Sequence, residues 1–254
     1  MSHRIPSSTW TRAAALMLGW AIVVSARAAH PLETEDTATQ GRGNVELENG
    51  FSRGRGAGST ALGYQLQISW GLAPTLDLLV QPSWVSQRLD GEAAVRGLGD
   101  TNLDLKWRFY GDAPLSLALR AGLELATSEH QLGLPRGSVA AHATLVSTMD
   151  AEPWTLHVNL GLDRNPRSAG LRQEVPRLSL AVQWAMSENL TLSAEVGAAE
   201  VDDATRSTWR TGALAGVVLT LRPGLDLDFG VRRSLKQTQA GHEVLLGLTW
   251  RFGP

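Results

Sequence analysis

Cysteine is missing from all 254 residues, so disulfides, thiolate metal sites and a cysteine nucleophile are excluded together. Neither sign of charge is in excess: the formal net charge is -2, and no cluster of Lys and Arg supplies the concentrated positive surface that a phosphate backbone requires. Nucleic acid is therefore not an expected partner. Long hydrophobic runs are also scarce. The longest, from Ala13 to Val24, falls short of the roughly 20 apolar residues needed by a membrane-spanning helix. Nucleophile elbows, H-E-x-x-H pairs and phosphate-binding loops are absent as well, so no catalytic residue, metal site or cofactor is expected.

The short apolar run has a different meaning. Arg4 and Arg12 precede it, and Ala26 and Ala28 stand in small-x-small positions within "SARAA" behind it. This layout is that of a secretory signal peptide over residues 1–28. An exported chain without a spanning helix can live in a membrane only as a closed barrel, the other fold that satisfies every backbone group in lipid.

What the chain does have is alternation. In "TNLDLKWRF" (Thr101–Phe109), Leu103, Leu105, Trp107 and Phe109 share one parity, and Asn102, Asp104, Lys106 and Arg108 share the other. Successive side chains of a strand point to opposite faces, so this is a strand with one apolar and one polar face. Twelve such runs follow one another, near residues 44–53, 60–70, 76–85, 100–110, 115–125, 138–148, 154–162, 177–186, 190–198, 208–221, 225–235 and 243–252. Most match the 9 to 11 residues that cross a bilayer at a tilt, whereas soluble strands usually stop nearer five or six. Pro82 interrupts the third run and is expected to mark a bulge or a strand end, because proline gives no ladder hydrogen bond.

The links between runs alternate in length. Short turns such as "GLAPT", "GDAP", "DAEP", "SEN" and "RPG" alternate with longer polar links at residues 86–99, 126–137, 163–176 and 199–207. Short turns on one rim and long loops on the other mark an outer-membrane barrel, and a soluble sandwich has no reason to sort its links so. Aromatics sort the same way. Trp70, Trp107, Phe109, Trp154, Trp184, Trp250 and Phe252 fall at short-turn ends, and Phe51, Trp84 and Trp209 at the opposite ends. Two such groups suit the girdles that flank a lipid-facing band.

The expectation is an all-β chain: a twelve-stranded antiparallel transmembrane β-barrel over residues 43–252, preceded by a cleaved signal peptide and by an extended N-terminal periplasmic segment over residues 29–42. It belongs in a bacterial outer membrane, with lipid and the barrel-assembly machinery as partners. On this parity the lumen holds Glu46, Glu48, Asp77, Asp104, Glu124, Glu195, Asp226, Asp228 and Glu243 against Lys106, Arg108, Arg120, Arg177, Arg210, Arg232 and Arg251. These charges either line a solute path or fill the barrel as cross-strand ion pairs. Eight strands enclose a space filled by side chains and sixteen leave an aqueous channel, so twelve predict a narrow or partly occluded pore. His142 and His157 are expected to face inward. Ser147 or Ser138 near His142 is the best nucleophile for a competing reading as an outer-membrane enzyme acting on lipid or a surface substrate. The long polar links supply a further alternative, a structural or adhesive surface barrel.

The stretches "HPLETEDTATQGRGNVELENGFSR" (His30–Arg53), "WGLAPTLDL" (Trp70–Leu78) and "GLGDTNLDLKWRF" (Gly97–Phe109), with the aromatic last strand, resemble the family named for the meta pathway of phenol degradation. Where that family pattern calls for something like Leu-Pro-Thr after the fifth strand, this chain has "LATSEH" (Leu125–His130), and Gly253 and Pro254 extend past the closing aromatic. The resemblance implies an outer-membrane transporter that passively passes or binds small solutes, with aromatic or hydrophobic compounds as candidates. No site residue is carried over from it.

Overall fold

The computed structural model describes residues 31–253 apart from 57, 129–138, 168–170, 202–206 and 237–240. The expected signal peptide and Ser138 lie outside the described residues. Extended segments dominate: β1 Val45–Gly56, β2 Ser59–Ala73, β3 Leu76–Gln81, β4 Ser83–Leu89, β5 Val95–Leu98, β6 Thr101–Asp112, β7 Leu115–Leu125, β8 Ala140–Ala151, β9 Trp154–Arg164, β10 Glu174–Ser187, β11 Leu190–Glu200, β12 Trp209–Arg222, β13 Leu225–Ser234 and β14 Gly241–Phe252.

Successive strands pair antiparallel except at β3/β4 and β5/β6, and β1 pairs with both β2 and β14, which closes the sheet and removes its edges. The fourteen segments amount to twelve barrel strands. The difference comes from two interruptions. The third strand stops at Gln81 and resumes at Ser83, and both halves, β3 and β4, lie against β2. Pro82 sits at the break, where its missing N–H forfeits one rung while its carbonyl still accepts from Leu66 N at 3.2 Å. The next strand breaks between β5 and β6, where Gly99 N instead donates to Ser83 O at 3.0 Å.

One link is shorter than its composition suggests. Residues 86–99, expected as a long polar loop, are mostly the outer halves of two strands, β4 and β5, turning through residues 90–94. The 15-residue β2 serves as their template, so polar side chains extend the ladder beyond the apolar band. The runs near 138–148 and 208–221, rich in small residues, form the strands β8 and β12, because neighbours on both sides supply their hydrogen bonds.

The two faces separate as the alternation requires. Along β6, Leu103, Leu105 and Trp107 are exposed on the outside while Asp104 and Lys106 are buried within. The same holds around the wall, with Leu119, Leu145, Leu160, Leu178, Leu219, Leu227, Leu246 and Leu248 all exposed. An apolar exterior around a polar interior is the inverse of a soluble core and is stable only where the solvent outside is hydrocarbon. No helix among the described residues is long and apolar enough to cross a membrane.

Candidate functional site

Inward-pointing charges come from strands whose outward positions are apolar, so the period of two that builds the lipid face also builds the lumen. Glu46, Glu48, Asp77, Asp104, Lys106, Arg120, Glu195 and Asp228 are buried inside the wall. Arg108, Glu124, Arg177, Arg210, Asp226, Arg232 and Glu243 are half-buried, and Arg251 is exposed near one rim. His157 is buried, with Nδ1 2.9 Å from Thr148 Oγ1 and Nε2 3.1 Å from Gln183 Oε1.

These side chains do not face an empty pore. Residues 31–42, expected as an extended segment on the periplasmic side, run through the barrel interior as a strap. Glu195 accepts from the backbone N–H groups of Glu33 at 2.7 Å and Thr34 at 2.8 Å. Glu35 bridges Lys106, 2.7 Å away, and Arg120, while Asp36 reaches Lys106 at 3.1 Å. Thr37 N donates to Thr148 Oγ1 at 3.1 Å, and Gln40 N donates to Asp77 Oδ2 at 2.9 Å. Gln40 Nε2 also donates to Glu46 Oε1 at 2.7 Å. Burial pushes the Asp36 carboxyl up, but the Lys106 ammonium, the nearby His157 and the Ala38 N–H together hold it below the ordinary carboxylate range. A lowered carboxylate favours the docked strap at neutral pH, and that favour is lost only as pH falls through the lowered value.

Around the strap the wall residues form one connected network. Arg120 donates to Asp104 Oδ2 through Nε at 2.8 Å and through Nη2 at 2.6 Å, and it also donates to Gln81. Gln81 donates to Gln67, and Gln67 to Glu48. On the other side Asp104 meets His142 Nε2 at 2.6 Å. The path therefore crosses β1, β2, β3, β7, β6 and β8 in turn, with Glu35 of the strap tied into its centre. A second group joins Arg232 to Glu243 at 2.7 Å and to Glu33 of the strap at 3.0 Å. Near the short-turn rim Arg251 holds Glu46 at 2.6 Å and also pairs with Asp226.

The strap also has an apolar seat. Leu32 packs with Ala181, Leu214 and Leu245, inward-facing apolar side chains from three different strands. Pro31 lies over two glycines: a Cβ on Gly216 would come within 2.5 Å of Pro31 Cγ, and one on Gly230 within 2.8 Å of Pro31 Cβ. Sequence parity shows these glycines face the lumen, but only the strap explains their size. Gly230→Val should loosen the strap while leaving the ladder intact, since the nearest atoms to the added Cβ are side chains of Pro31 and Leu245. Single-channel recordings of the folded variant should show longer open times than the parent.

Beside the strap lies a cavity of about 90 Å³, whose lining includes Glu33, Glu35, Arg120, His142, Asn159 and Arg177. A benzene-sized guest in a protein interior occupies a cavity of about 150 Å³. This cavity has room for water and is too small for an aromatic ring. Among the described residues no group of three or more His, Asp and Glu is placed to hold a metal.

Register also decides about the candidate nucleophile. Ser147 pairs with Val158 on the outward face, and His142 points inward to Asp104, so the two cannot share a proton. Aromatic positions collect at the two ends of the apolar band. Trp154 and Trp184 stack at 5.5 Å, and Trp250 meets Phe252 at 4.6 Å at the short-turn side. Trp70, Trp107 and Phe109 are exposed at the same side. Towards the other rim Phe51, Trp84 and Trp209 stand with Tyr64 and Phe229, which position in the sequence alone did not single out. Cross-strand register adds them: Phe229, Leu246, Phe51, Tyr64 and Trp84 occupy one rung.

A closed barrel with charged interior and internal strap is a specific arrangement, and the sequence has a matching family. The profile described as "Putative MetA-pathway of phenol degradation" matches residues 28–252. The chain belongs to this family. None of the curated proteins matches it in sequence. Among solved structures, the outer-membrane channel of Pseudomonas putida F1 superposes with a TM-score of 0.72 at 13% identity, covering 89% of this chain and 100% of that one. The KdgM porin in complex with disordered oligogalacturonate gives 0.59 at 10% identity, over 82% of this chain and 99% of that one. The CymD monoaromatic hydrocarbon channel gives 0.51 at 10% identity, over 85% and 90%. At these identities the likeness is one of fold, and the fold is that of outer-membrane channels and porins.

Proposed function

We propose that this family member is a passive outer-membrane conduit for small solutes, closed at rest by its own N-terminal strap. One observation carries the reading. Residues 31–42 fill the lumen through hydrogen bonds, ion pairs and one apolar seat, yet no strand of the wall pairs with them. They can leave without breaking a rung of the barrel. Nothing else need move to open the path.

On this reading residues 1–28 are removed on export, residues 29–42 are the strap and residues 43–252 the barrel. Short turns face the periplasm and long links face outward. Lipid surrounds the apolar band between the aromatic belts, and the assembly machinery inserts the strands. The lumen charges line the route. The family's association with phenol degradation and the monoaromatic hydrocarbon in the name of the CymD channel favour a small aromatic compound as cargo. A Ser147–His142 pair is not a catalytic couple, because the two lie on opposite faces of β8. No observation favours adhesion through the long links.

Planar-bilayer recording tests this. The mature chain, shown to be folded by its heat-dependent gel mobility, should give brief, discrete current steps, and a small aromatic solute should change their duration. A folded barrel that stays silent, and stays silent when the strap is removed, would overturn the reading.

A further inference from the structure

The outward face carries a charge pattern that transport does not use. On the rung formed by Phe229, Leu246, Phe51, Tyr64, Trp84 and Leu98, every side chain is apolar or aromatic. The next rung towards the long-link rim places Arg53 beside Leu62, with Ser86 paired to Arg96. One rung further, Arg233, His242, Arg55, Thr60 and Arg88 stand side by side across β13, β14, β1, β2 and β4. Cross-strand partners share a face, so all of these point away from the lumen. Arg53, Arg55, Arg88, Arg96 and Arg233 are exposed.

Inside the wall Arg120, Arg177, Arg232 and Arg251 are held by carboxylates, whereas the outward arginines of this patch are in no ion pair among the described residues. Arg232 is bound to Glu33 and Glu243, while its neighbour Arg233, on the opposite face, has no ion pair among the described residues. The same holds for Arg53, Arg55, Arg88 and Arg96. Nearby acids are few: Asp90 and Glu92 in the turn between β4 and β5. On the opposite wall the described strand ends carry Leu123, Ala141, Ala198 and Thr211, and the outward arginine of β9, Arg164, lies across from Glu174. Among the described strands, the rungs of unpaired outward arginines lie on β13, β1, β4 and β5, on one side of the barrel. The patch borders a shallow cleft of about 720 Å³ lined by Arg55, Asp90, Val231, Arg233 and His242 among others.

Position and chemistry together name an occupant. A side chain one or two rungs beyond an aromatic belt stands about 7 to 14 Å along the strand from it, at the boundary where hydrocarbon gives way to headgroups. There an arginine lays its stem on apolar surface and lifts its guanidinium to the polar layer. The guanidinium fork matches a phosphate with two parallel hydrogen bonds. We infer that this patch binds the phosphorylated headgroup of an outer-leaflet glycolipid, lipid A, and seats the barrel against it on one side. This rests on the outer-membrane location and not on any solute passing through the lumen.

The test uses the mature barrel in mild detergent and fluorescent diphosphoryl lipid A. The parent should bind it, and the triple variant Arg53→Glu, Arg55→Glu, Arg233→Glu should bind at least on the order of 100-fold more weakly, from the contribution of each arginine at an anionic surface. The matching triple change to Lys should keep most of the affinity, and Arg164→Glu on the other wall should change nothing. Gel mobility and channel recordings should be the same throughout, which separates failure of this inference from failure of the conduit reading. If the Glu variant does not fold, the triple change to Gln gives the same comparison. Equal binding by a folded charge-reversed barrel would overturn the inference. So would equal binding of dephosphorylated lipid A, and displacement by inorganic phosphate alone would reassign the patch to a free anion.

Discussion

Deleting residues 31–40 turns brief openings into a steady current several-fold larger, with the barrel still folded. The wall loses nothing structural, because β1 begins at Val45 and its ladders to β2 and β14 lie outside the deletion. What leaves is a peptide that ties the lumen to itself at Glu195, Lys106, Arg120, Thr148 and Asp77. Two of those acceptors, Glu195 and Asp77, then face water that enters the vacated path, so their burial cost falls rather than rises. The bases Lys106 and Arg120 lose Glu35 and Asp36, which makes the constriction more positive and should move selectivity towards anions. Planar-bilayer conductance in symmetrical and graded salt measures both quantities. An unchanged conductance would mean the strap is not the obstruction.

Replacing Arg120 by Ala should be the most damaging single change in the lumen. Its guanidinium serves Asp104, Glu35 and Gln81 at once, and it is almost wholly buried. Removing one member of a buried ion pair costs about 3–5 kcal/mol, because the partner charge is left desolvated. Part of that cost is relieved here: Asp104 keeps His142, and Glu35 keeps Lys106. Loss of strap docking is the cheaper relaxation, so the variant should open as well as weaken. Urea titration followed by gel mobility should show a lower midpoint, and recordings should show longer openings. Arg120→Lys should do less harm, yet not restore the parent, since an ammonium cannot span the three acceptors as a planar fork does. Coupling is testable in a double-mutant cycle: adding Glu35→Gln to Arg120→Ala should cost less than the two separate losses combined, because both remove one shared contact. Additive losses would sink the claim that Arg120 and Glu35 hold the strap together.

Much of this molecule was legible before any coordinates. Strand number, antiparallel order and the polar or apolar assignment of each face all follow from a period of two and from turn residues, which are local properties. Asp104, Lys106 and Arg120 were assigned to the lumen on parity alone, and they are buried inside the wall. Pro82 announced the break in the third strand for a reason contained in its own ring. By contrast, the 86–99 stretch read as a loop because its polar side chains hide a ladder whose template, β2, is a different segment of chain.

Three things needed the tertiary structure. The strap has no period of its own, and its contacts span distances in sequence that no window sees: Glu33 meets Glu195 across 162 positions, and Lys106 meets Glu35 across 71. Gly216 and Gly230 look like weak points in their strands until Pro31 is found lying against them. The outward arginines are scattered over four segments between Arg53 and Arg233 and become a patch only when closure of β1 on β14 brings both ends of the chain side by side. Alternation determines which way each side chain points, because that is set by the backbone at that residue. Which of them meet is decided by register and closure, which belong to the whole barrel.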